Sequence, residues 1–195
     1  MSIVIETPES FFRGKLKEIN EFYGKPANDL SIVYAGGLLE SLVKVDRDSD
    51  EIGSSGIDLD SSLASFLDNI TKKPDLAFEY FKKLGDHALI LGGFFREHVK
   101  TDDDYIVAMG KTGYWNAGRL FKPLEGIFKG LAVDFPILMR FFEDLRHDKD
   151  VISPEDMDKI FNYINETGSP YIRKKFKENL GNVIYVDFMT RSRFS

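Results

Sequence analysis

The chain has 195 residues, 43% hydrophobic and 30% charged, a balance that suits one globular domain with a sizeable core and excludes a disordered chain. Its formal charge of −6 argues against nucleic acid as the main partner, because phosphate binding draws on a surplus of Lys and Arg. The absence of cysteine excludes disulfides, thiolate metal sites and a thiol nucleophile. A cytoplasmic protein with no membrane span is expected, since neither a leader peptide pattern nor an apolar run of about 18 residues is present.

Periodicity and helix breakers predict an all-α fold, a compact bundle of about eight helices forming a single domain over residues 1–195. Thr7-Pro8-Glu9 supplies an N-cap, a proline at the first helical position and an acid in the first turn, and Gly24 with Pro26 ends that helix. Asn28 or Asp29 caps a second, in which Leu30, Val33, Tyr34, Leu38 and Leu42 keep helical spacing until the pattern fades near Val45. Residues 46–58, DRDSDEIGSSGID, read as an acidic Gly/Ser loop. Asp60 caps a short helix to Ile70, and Pro74-Asp75 starts another, which Gly85 ends or bends.

Residues 84–120 are expected to form a central Gly-rich antiparallel hairpin, Asp86–Lys100 and Asp102–Leu120, turning tightly at an N-capping Thr101. In that register Gly92 meets Gly110 and Leu89 meets Gly113. Close backbone contact along a seam of Gly92, Gly93, Gly110 and Gly113 then offsets the roughly 1 kcal/mol that each interior glycine costs a helix. Further helices are expected over Pro123–Val133, Phe135–His147, Pro154 to Gly168 and Pro170 to Gly181, with residues 182–195 as a short extended tail.

Few residues form a recognisable chemical set. Asp46, Asp48 and Asp50 alternate like the opening of a calcium loop and are a weak metal candidate, but Glu51 stands where that loop needs glycine and Ile57 where it needs glutamate. Gly110-Lys111-Thr112 lacks the first glycine of a phosphate loop, Tyr105 taking its place. His87 and His98 would stand about 16 Å apart along a continuous helix, and no Glu-x-x-His pair occurs, so no cofactor is called for. His147, at a helix C-terminus, would be favoured as a cation. Arg173, Lys174, Lys175 and Lys177 are the one basic concentration, a candidate contact for single-stranded nucleic acid or an acidic surface, or simply a solvated helix face. The assumed hairpin register gathers Asp86, His87, Trp115, Asn116 and Arg119 at one end as a candidate ligand-binding cluster. No residue is assigned a catalytic role.

The segments LGDHALILGGFF and DYIVAMGKTGYW resemble a family of uncharacterised bacterial proteins that share a Leu-Gly-Asp, Gly-Phe-Phe, Asp-Tyr-x-x-x-Met-Gly pattern, with Arg96 here where that family has proline. The resemblance implies a bacterial cytosolic protein and no particular activity. The expected function is a non-catalytic binding or regulatory module acting through protein–protein contact, its partner another protein or a second copy of the chain. The alternative is a helical small-ligand-binding protein or enzyme with a polar and aromatic pocket around His87 and Trp115.

Overall fold

Helix breakers set most of the element ends. The computed structural model describes residues 8–48, 63–149 and 154–179, and among them every regular element is helical. The eight α-helices are α1 (Pro8–Glu21), α2 (Asp29–Asp48), α3 (Leu63–Lys72), α4 (Ala77–Gly93), α5 (Asp103–Leu120), α6 (Glu125–His147), α7 (Pro154–Thr167) and α8 (170–179). Asn28 caps α2, its Oδ1 accepting the Leu30 amide at 2.8 Å. Gly168 ends α7 with φ +67°, a left-handed conformation that favours glycine. Ser169 then caps α8, its Oγ accepting the Ile172 amide at 3.1 Å, with Pro170 at the first helical position. The expected acidic loop begins later than its sequence suggested, because α2 runs to Asp48. The rest of that loop, the Asp60 cap and the 182–195 tail lie outside the described residues.

The core lies where α6 packs on α1, α2, α4 and α5. Phe128, Phe135, Phe141 and Phe142 of α6 are fully buried, as are Leu84, Leu89 and Ile90 of α4 and Tyr114 of α5. The expectation of two helices over 123–147 is corrected by a single α6 with Pro136 inside it. Proline lacks the N–H that the Ala132 carbonyl would otherwise accept, at a cost of about 3 kcal/mol. Phe135, Leu138, Met139 and Phe142 bury one continuous face across it, and each such side chain contributes about 1.5–3 kcal/mol, so the helix continues.

Helices α4 and α5 pack tightly, in a register one turn from the expected one. A Cβ on Gly113 would lie 2.6 Å from the Gly85 amide nitrogen and 2.7 Å from the Phe81 carbonyl, so Gly113 faces Gly85 and not Leu89. Gly92 faces Ile106 of α5 and Met139 of α6 instead of Gly110. The cause is the connection. Thr101 makes no tight turn: α4 ends at Gly93, a 3₁₀ turn over Arg96–His98 follows, and α5 starts at Asp103. The cap is Asp102, whose side chain accepts the Asp104 amide at 3.0 Å. Gly85 lies inside α4, neither ending it nor starting a second helix. Gly93 abuts Phe142 and Gly110 abuts the Phe135 ring, so these seam glycines serve a junction of α4, α5 and α6.

Candidate functional site

An ionised carboxylate taken out of water needs donors around it, and three aspartate side chains among the described residues are buried. Asp86 of α4 is 3% exposed; its Oδ1 accepts from the hydroxyls of Tyr34 (α2) at 2.8 Å and Tyr114 (α5) at 2.9 Å, and its Oδ2 from Lys82 at 2.7 Å. Burial first, and the Asp86 charge second, push both phenols far above their usual range, so they stay protonated donors. Asp144 of α6 accepts from Tyr23 at 2.6 Å and from Tyr163 of α7 at 2.8 Å. Burial raises the Asp144 carboxyl above its ordinary value, and the hydroxyl hydrogen bonds act against that rise. Asp148 follows one turn later and accepts from Lys15 (α1) and Tyr171 (α8), both at 2.7 Å. Asp86 thereby joins α2 and α5 to α4, Asp144 joins α7 and the α1–α2 connection to α6, and Asp148 joins α1 and α8 at the end of α6.

His147, between those two aspartates, is not the helix-end cation expected from sequence. Its ring stacks on Tyr163 at a centroid distance of 4.1 Å. Arg146 Nη2 lies 3.2 Å from Nε2, and since a guanidinium only donates, that nitrogen is an unprotonated acceptor. Burial first, then Arg146, bring the imidazole down from 6.5 to about 4, and Glu97 opposes them. Its folded value lies below its unfolded one, so the unfolded chain binds more protons between the two, and His147 contributes a loss of stability as pH falls from 6.5 towards about 4. His147→Gln should flatten that part of the stability–pH curve in urea unfolding, and the imidazole should titrate by NMR near 4. A titration near 6.5 would contradict the half-buried, neutral assignment.

The structure does not gather the five residues expected in one cluster. Asp86 and His87 are buried, whereas Trp115 is 45% exposed and Arg119 is also exposed. Asn116 spends its Nδ2 on the Thr112 carbonyl at 2.9 Å. Tyr114 takes the core-facing position on α5, so Trp115, about 100° further round the helix, points outward. Asp46 and Asp48 fall in the last turn of α2, Asp50 lies outside the described residues, and among the described residues no cluster of three acids or histidines is arranged to hold a metal. No helix among them is long and apolar enough to cross a membrane. In the basic segment, Arg173 and Lys177 are exposed, Lys174 lies 4.7 Å over the Phe22 ring and Lys175 pairs with Glu18 at 3.1 Å.

The outer face of α5 and α6 carries features the sequence reading missed. Lys111, Trp115 and Arg119 recur every four residues along α5, and Lys129, Val133, Ile137 and Arg140 at three- and four-residue spacing along α6. Between them lies a hollow of about 380 Å³ lined by Lys111, Thr112, Trp115, Asn116, Ala132 and Val133. Val133 is 69% exposed, and the Lys129 ammonium sits 5.1 Å from the Trp115 ring centroid. A second hollow of about 510 Å³ begins at Val133 and extends to Pro170. The warning signal for the tyrosine partners was present, because Asp86 and Asp144 fall on apolar helix faces; nothing in the spacing names Tyr34, Tyr114, Tyr23 or Tyr163.

Fold and geometry together define an all-α bundle with aspartate–tyrosine ties inside and a mixed apolar and basic face outside. Comparison with family models, with curated proteins and with solved structures returns no match.

Proposed function

We propose that this chain is a non-catalytic binding module whose outer α5/α6 face takes an acidic amphipathic helix of a partner protein. The observation that carries this reading is the exposed Trp115–Val133 hollow, which Lys111 lines, with Lys129 over the Trp115 ring and Arg119 one turn further along α5, on a chain whose net charge is −6. Tryptophan and arginine are among the residues most enriched at contact hot spots, and the basic residues beside Trp115 select acidic flanks. Among the described residues, Lys111 and Arg119 make no ion pair, so their charge is available to a partner. The buried carboxylates support the same reading, since tyrosine hydroxyls and lysines already occupy them. In this reading α4 and α5 are a Gly-rich antiparallel hairpin at the centre, a rigid support that keeps Trp115 turned outward.

The single tryptophan is its own reporter. A helical peptide with leucines at i, i+3, i+4 and i+7 flanked by glutamates should shift Trp115 emission to the blue saturably, and its lysine-flanked counterpart should bind at least about tenfold more weakly. Equal responses to the two peptides, or none to either, would refute the proposal.

A further inference from the structure

The second hollow has a different composition. Its apolar walls include Tyr23, Pro136, Ile137 and Pro170, and two cations, Lys25 and Arg140, stand at its edge. Asp134, the only carboxylate lining it among the described residues, already accepts the Asn28 amide at 2.9 Å. Arg140 is poorly used by the protein itself: its Nη1 donates to the Thr167 carbonyl at a long 3.4 Å, and its Nε lies 3.8 Å from Glu143. A guanidinium carries five N–H donors, so most of them remain for a ligand. Lys25 makes no ion pair among the described residues.

From this geometry we infer a second, small-molecule site: the hollow takes an apolar monocarboxylate, its hydrocarbon body between Ile137 and the Pro136 and Pro170 rings and its carboxylate on Arg140, with Lys25 adding long-range attraction. The volume of about 510 Å³ lies within the usual range for small-ligand pockets. Guanidinium–carboxylate pairing at an apolar surface supplies the specificity that apolar walls alone lack. The site shares Val133 with the Trp115 hollow but stands on other residues and another ligand, and it does not depend on the peptide-binding reading.

Amide-detected NMR titrations with sodium octanoate and with octan-1-ol, the same chain length without the charge, test it. Octanoate should give saturable shifts at Ile137, Gly168 and the Arg140 side chain, and bind at least about tenfold more tightly than octanol. Arg140→Gln should erase that preference. Lys25→Gln, at an exposed position whose loss leaves the fold intact, should weaken octanoate about threefold and leave octanol unchanged. Equal binding of acid and alcohol, no saturation up to the order of 10 mM, shifts confined to other residues, or an octanoate affinity untouched by both substitutions would each overturn the assignment.

Discussion

Gly113→Ala is expected to cost roughly 3 kcal/mol or more. The new Cβ would sit 2.6 Å from the Gly85 nitrogen and 2.7 Å from the Phe81 oxygen. Both are backbone atoms of α4, so no rotamer change relieves the clash and one helix must move away from the other. Gly37→Ala is the control. It also lies in a helix, its Cβ would meet nothing within 4 Å, and the substitution should stabilise by up to about 1 kcal/mol through helix propensity alone. Urea unfolding of the two variants separates close packing from propensity. A Gly113→Ala protein as stable as the native one would show that α4 and α5 do not meet backbone to backbone.

Asp86→Ala is the second large effect, a loss of roughly 3–5 kcal/mol against a total stability of about 5–15 kcal/mol. Lys82 is half-exposed and can turn to water, but the hydroxyls of Tyr34 and Tyr114 lose their acceptor in the interior, at about 1–3 kcal/mol each. Asp86→Asn keeps a carbonyl oxygen in place and should cost less. Tyr34→Phe and Tyr114→Phe each remove only a donor and should cost about 1 kcal/mol. If Asp86→Ala lost under about 1 kcal/mol in denaturant unfolding, the site would not be a structural tie.

The helix inventory was legible because the chain marks its ends chemically: Pro8, Asn28, Gly168 and the Ser169-Pro170 pair all act where they were read. Pro136 misled for an equally physical reason. Its local cost suggests a break, and only the buried face shared by Phe135, Met139 and Phe142 shows why the helix continues. The register of α4 on α5 depended on the length of a connection whose composition does not reveal that residues 96–98 form a 3₁₀ turn. Separately, Tyr114 and not Trp115 faces the core on α5, so the expected cluster became an interior tie and an exterior hollow. Val133 and Arg140 gain meaning only beside α5 and the α7–α8 turn, which no local spacing records.

The central claim is a division of labour: interior aspartate–tyrosine ties hold the bundle, and the outer α5/α6 face makes the contact. The affinity of Val133→Asp for the glutamate-flanked peptide, read by Trp115 emission and set beside the variant's urea midpoint, tests that division most directly. Because Val133 is 69% exposed, the midpoint should not move, while the added charge should weaken binding at least about tenfold. Peptide affinity unchanged in Val133→Asp, or a loss that merely follows a lowered midpoint, would contradict it.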